Sequence, residues 1–131
     1  MVSYDTFESM AADGWDTSGV NKLGAHGACK VWSAFKSGRQ AGGSKATRVM
    51  KGSGKAILDL QDCYTDTGST VWYDGQQIGP TVNGKGPTKR HKFEFDFEDG
   101  KVLEVREVHS IWKVHSLSVV PQKEVIIRLF S

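Results

Sequence analysis

The sequence predicts an all-β fold, a two-sheet antiparallel β-sandwich of jelly-roll type formed by a single domain over residues 1–131. Three observations predict it. Short segments alternate apolar and polar residues with period 2, Gly, Ser, Asp and Pro bound them at close intervals, and the helix formers are not arranged with helical period. The length of 131 residues suits one domain with a sizeable core, and fifteen glycines, three prolines and 38% apolar residues fit a turn-rich globular chain.

Taken in chain order, a first strand is expected almost at the N-terminus, followed by strands around Ala28–Phe35, Ala46–Met50 and Ala56–Gln61. In STVWYDGQQIG, a two-residue Asp74-Gly75 turn sets Val71 across from Ile78, so one face is consistently apolar and the segment reads as a hairpin. Trp72 and Tyr73 are consecutive and must point to opposite faces; with Val71 and Ile78 facing inward, Tyr73 goes in and Trp72 comes out. In KFEFDFEDGKVLEVRE, Phe93, Phe95 and Phe97 alternate with charged residues. A two-residue loop would oppose Phe95 to Glu104, whereas a Glu98-Asp99-Gly100 loop with a G1 bulge sets Phe95 beside Leu103 and Phe93 beside Val105. The second register is expected, with Gly100 at positive φ. Strands at Ile111–Val119 and Val125–Phe130 close the series, the latter favoured by β-branched Val125, Ile126 and Ile127.

The opening FESMAADGWDTSGVNKLGAHG resembles the first strand of concanavalin-like, laminin-G-like and carbohydrate-binding jelly-roll domains, and STVWYDGQQIG followed by KFEFDFEDGKVLEVREV is similar to their back half. The resemblance touches about half of the chain and implies a glycan-binding or adhesive module. It carries over no individual binding residue, and the clustered acidic calcium ligands frequent in those domains are here only scattered.

The charge map is uneven. Thr17 to Leu58 contains no acidic residue, yet Lys22, Lys30, Lys36, Arg39, Lys45, Arg48, Lys51 and Lys55 all fall there, hidden by a net charge of only +2. Such a field concentrates anions, so these eight are candidate ligand-binding residues, weighed against solvated loop lysines. A second basic group, Lys85, Lys89, Arg90, His91 and Lys92, falls in the Gly/Pro-rich run NGKGPTKRHK, expected as a loop; Lys89 and Arg90 join the candidates. GxxxxGK[ST] spacing is absent, so this is no P-loop. Among the aromatics Trp15, Trp32, Trp72, Trp112, Tyr64 and Tyr73, most are expected in the core, and Trp72 is the preferred stacking face.

Catalysis and cofactors find little support. His109 and His115 lie about 20 Å apart along one straight strand, Asp62, Asp66 and Asp74 lack EF-hand spacing, and no metal or cofactor is expected. Glu104 and Glu107 face opposite sides of a strand, which defeats paired-carboxylate chemistry. Cys29 and Cys63 fit no metal motif and suit a disulfide or two buried thiols equally. No apolar run approaches the ~18 residues of a membrane span, MVSYDTFESM carries no readable export signal, and the compartment stays open, with an extracellular one favoured.

The expectation is a non-enzymatic module for an anionic polysaccharide or other polyanion, in which the basic residues meet sulfate or carboxylate groups and Trp72 stacks. The alternative is a structural protein that self-associates into a homo-oligomer and contacts a mineral such as silica. Single-stranded nucleic acid ranks third, because the net charge is only +2 and no RRM or cold-shock motif is present.

Overall fold

A computed structural model describes residues 2–26, 29–35, 44–62, 68–83, 89–107 and 111–122. Two antiparallel sheets form a sandwich. In sheet I the order is β3 (Val20–His26), β4 (Cys29–Phe35), β11 (Ile111–Pro121), β6 (Gly54–Asp62), β9 (Lys89–Phe97), with β1 (Val2–Ser3) also pairing β11. In sheet II the order is β2 (Trp15–Asp16), β5 (Ser44–Val49), β10 (Val102–Glu107), β7 (Ser69–Tyr73), β8 (Gln76–Val82). The last of the chain's described strands, β11, thus lies in the middle of sheet I, between β4 and β6.

Alternation along each strand makes the two inner faces apolar. Leu58, Leu60, Phe93, Trp112, Val114 and Leu117 from sheet I meet Ala46, Val71, Leu103 and Val105 from sheet II, all of them buried. The Val, Leu and Phe side chains among them each contribute about 1.5–3 kcal/mol on burial. Tyr73 and Phe95, half-buried on facing sheets, bring their rings to 5.1 Å between centroids across this core.

The Asp74-Gly75 hairpin forms in the expected register, Val71 opposite Ile78 and Tyr73 opposite Gln76. Both turn residues have positive φ, 50° and 77°, as a twist-matched two-residue turn requires.

The expected hairpin between β9 and β10 does not form. β9 pairs β6 along nine residues without a register shift, whereas β10 pairs β5 and β7 in the other sheet. Phe95 therefore stands opposite Ala56, not Leu103, and Phe93 opposite Leu58, not Val105. Glu98–Lys101 carries the chain from one sheet to the other: Lys101 N–H donates to Glu98 O at 3.3 Å, Gly100 takes φ +84°, and Gly100 N–H donates to Met50 O at 2.8 Å. A crossing turn satisfies the same apolar alternation as a hairpin, and by crossing β9 gains a nine-residue partner in β6 while β10 gains a partner on each side.

Two further corrections concern the first and third quarters. Phe7–Ala12 is a short helix, α1, instead of a first strand, capped by Thr6, whose Oγ1 accepts from Ser9 N–H. Lys89–Phe97 is strand from its first residue, so Lys89, Arg90, His91 and Lys92 lie not in a loop but on β9, which among the described residues is the edge of sheet I. The acids of β6 favour this, since Asp59 stands opposite Lys92 and Asp62 opposite Lys89. Strand β3, with register shifts at Gly24, lacks the clean alternation that would have disclosed it.

The N-terminal segment straps the sheets together. β1 joins sheet I, α1 crosses, and β2 joins sheet II. Trp15 Nε1 donates to Tyr4 Oη at 3.0 Å, Tyr4 O–H donates to Asp13 Oδ2, and Arg48 Nε donates to Asp13 O at 2.9 Å. Burial, then the Asp13 hydrogen bond, pushes the Tyr4 hydroxyl well above its usual range, so it stays a neutral donor.

Candidate functional site

The outer face of sheet II gathers the half-exposed polar and aromatic groups. Inward Val71 and Tyr73 leave Thr70 and Trp72 of β7 outward, and inward Leu103 and Val105 leave Glu104 and Arg106 of β10 outward. Register then builds two rows across the strands. Asp16, Thr47, Glu104, Trp72 and Gln77 form one, and Lys45, Arg106 and Thr70 form the next. Five strands at about 4.8 Å spacing make the longer row about 19 Å from end to end.

Trp72 is fixed on this strip, one strand from its centre. Its Nε1 donates to Thr70 Oγ1 at 3.0 Å, which lays the indole along its own strand. The Arg106 guanidinium carbon lies 4.1 Å from the ring centroid, a cation–π contact. Arg106 Nε donates to Glu104 Oε2 at 2.6 Å, and Lys45 Nζ lies 3.9 Å from Glu104 Oε1. The ring and two cations thus share one patch, with Lys45 57% exposed and Arg106 34%.

The basic residues of the 17–58 stretch do not converge where they are described. Lys45 is on the strip, whereas Lys55 lies on the outer face of sheet I beside Asp96, and Lys51 is exposed beyond the end of β5. Arg48 faces Trp15 and is held by Asp13, with Nε 3.5 Å from Oδ2, so it belongs to the strap. Lys22 and Lys30 stand on β3 and β4 with side chains outside the described residues, where Lys36 and Arg39 also lie, as do Lys85, Tyr64, Cys63 and Val125–Phe130. Trp15 and Trp112 are core residues. Reasoning along the chain missed Arg106, Thr70, Thr47 and Gln77; the period-2 pattern of LEVRE marks Arg106 as outward, but only pairing of β10 with β7 places it on Trp72.

The outer face of sheet I carries a second polar group. Asp59 is only 5% exposed and accepts two hydrogen bonds from Arg90, Nε to Oδ1 at 2.8 Å and Nη2 to Oδ2 at 2.9 Å. Burial pushes the Asp59 carboxyl up, but the Arg90 hydrogen bond and charge outweigh it and hold it below its usual range. His115 Nε2 lies 2.7 Å from Gln61 Oε1, and burial, then the charges of Arg90 and Lys113, lower its pKa from 6.5 to about 4. Between these values the unfolded chain binds a proton that the folded chain does not, so stability is full above pH 6.5 and falls as pH drops toward 4. Thermal melts across that window are expected to show Tm declining with acid, and His115→Gln, which cannot titrate, to flatten the decline.

Arg90 is therefore committed to Asp59, and Lys89 is exposed at the start of β9. Asp62 is buried and accepts from Ser69 Oγ at 2.8 Å, while Asp74 lies in the hairpin turn 3.6 Å from Lys101 Nζ, so the two acids serve separate places. Asp66 and His109 lie outside the described residues. Among the described residues no three His, Cys, Asp or Glu side chains gather as a metal site, and no helix is long and apolar enough to cross a membrane.

No protein-family model matches the chain, and no curated protein matches it by sequence. Among solved structures it is similar to a CBM35 module from Paenibacillus barcinonensis, with a TM-score of 0.50 and 9% identity over 82% of this chain and 94% of that one. It is also similar to a family 35 carbohydrate-binding module from Clostridium thermocellum, with a TM-score of 0.49 and 12% identity over 82% of this chain and 91% of that one. At such identity the likeness to the Paenibacillus module is one of fold: this chain is a jelly-roll β-sandwich of the same architecture.

Proposed function

We propose that the chain is a non-enzymatic binding module whose sheet II outer face takes an acidic or sulfated glycan. The observation that carries this reading is the packing of Arg106 on the half-exposed Trp72 ring, with Lys45 on the same patch. A flat apolar ring suits the apolar face of a sugar, and cations beside it suit a carboxylate or sulfate on the same or the next unit. Arg106 Nε is committed to Glu104, which orients the guanidinium and leaves its Nη donors for the ligand. The shared fold with a carbohydrate-binding module supports the reading by analogy.

The test is a glycan array at low ionic strength, repeated in high salt. Acidic glycans are expected to bind in preference to neutral ones, with binding that weakens as salt screens the two cations. Equal binding of neutral and acidic glycans would remove the anionic specificity, and no glycan binding at all would remove the reading.

A further inference from the structure

We propose that two copies of this chain pair antiparallel along β9, joining their first sheets into one continuous sheet about a two-fold axis at Phe93. The proposal is separate from the glycan reading, whose face is on sheet II.

Among the described residues the two strand orders end on four edges, and three of these are blunted. β2 is two residues long, β3 carries two register shifts, and β8 has Gly79 at φ +62° followed by Pro80, which has no N–H to offer. The fourth edge, β9, runs nine residues in unbroken register with β6 and contains no proline or glycine. Among the described residues its other side has no strand partner. A long regular edge of this kind is a template for another strand.

The order of charges on β9 selects the occupant. Its outward side chains are Arg90, Lys92, Glu94 and Asp96, two cations and then two anions, all exposed. Antiparallel pairing with itself about Phe93 sets Lys92 against Glu94 and Arg90 against Asp96, twice over by symmetry. Both members of each pair stand on the same sheet face, because paired residues at even spacing share parity. A one-residue slip would put these side chains on opposite faces. Arg90 keeps its Asp59 contact, so Lys92–Glu94 is the pair that sets register. Charges on an edge normally deter pairing; in this order they oppose mismatched partners and are self-complementary toward an identical antiparallel strand.

Sedimentation velocity from roughly 10 µM to 1 mM in low salt is expected to show a monomer–dimer equilibrium that added salt weakens. Lys92→Glu or Glu94→Lys each create two like-charge pairs and are expected to weaken dimerisation about tenfold. Mixing the two variants restores opposite charges at both positions, so the mixture is expected to dimerise as heterodimers, and the doubly exchanged Lys92→Glu/Glu94→Lys chain as a homodimer. Circular dichroism confirms that each variant is folded. A strict monomer over the whole range overturns the proposal. So does a dimer that the single exchanges leave unchanged, or one that the mixture fails to restore.

Discussion

Gly54→Ala is expected to destabilise the sandwich by about 2–5 kcal/mol, the sum of positive-φ strain and overpacking. Gly54 opens β6 at φ +155°, and a Cβ there would lie 2.1 Å from Val120 O, 2.9 Å from Gln122 N and 3.0 Å from Pro121 Cα. All three are backbone atoms of the β11 end, which Gly54 pairs through Pro121, so relief requires the two central strands of sheet I to part. Gly100 provides the comparison. At φ +84° with open space around its Cβ position, Gly100→Val is expected to lose only the strain, about 1–2 kcal/mol. Urea melts of the two variants separate the terms: equal losses would mean that contact with Val120 O is not what requires glycine at position 54.

Trp72→Ala is expected to weaken binding to an acidic glycan about thirtyfold, near 2 kcal/mol, the scale of a central aromatic anchor. The indole does two things at once: it offers a stacking surface, and it holds Arg106 at 4.1 Å, so its removal also takes away one of the two supports of the guanidinium and leaves only Glu104. Arg106→Gln keeps the ring and removes the cation. Its binding to neutral sugars is expected to change little while its binding to acidic ones falls and becomes less salt-dependent, with Lys45 the cation that remains. Calorimetric titration of both variants against a matched pair of neutral and acidic oligosaccharides checks this. Folding is not at issue, since Trp72 and Arg106 lie outside the core. Retention of full affinity by Trp72→Ala would move the site off this face.

What was legible in the chain was parity. Alternation set Phe93, Leu103 and Val105 inward correctly, and the local chemistry of Asp74-Gly75 fixed a register that in turn turned Trp72 outward. Partnership was not legible, because an in-sheet hairpin and a crossing between sheets bury the same residues of β9 and β10. The same gap hid the site: Arg106 reaches Trp72 only through the pairing of strands that are distant in sequence. α1 escaped notice because six residues are too few to display a 3.6-residue period, and its anchoring by buried Met10 is tertiary. Charge misled at Arg48, whose place opposite Trp15 at the sheet edge gives a basic side chain a structural partner in Asp13.

The central position of β11 has a kinetic consequence. Sheet I cannot zip outward from a nucleus of early strands, since β4 and β6 meet only through a strand whose last residue is Pro121. During synthesis the edge of β6 that faces β11 must wait for that strand to emerge, while β6 can already pair β9 and sheet II can pair β5, β7 and β10. Topologies that close over such long chain separations fold in milliseconds to seconds instead of microseconds. For that interval a nascent chain presents an open half-sandwich, the species most exposed to aggregation and to capture by chaperones.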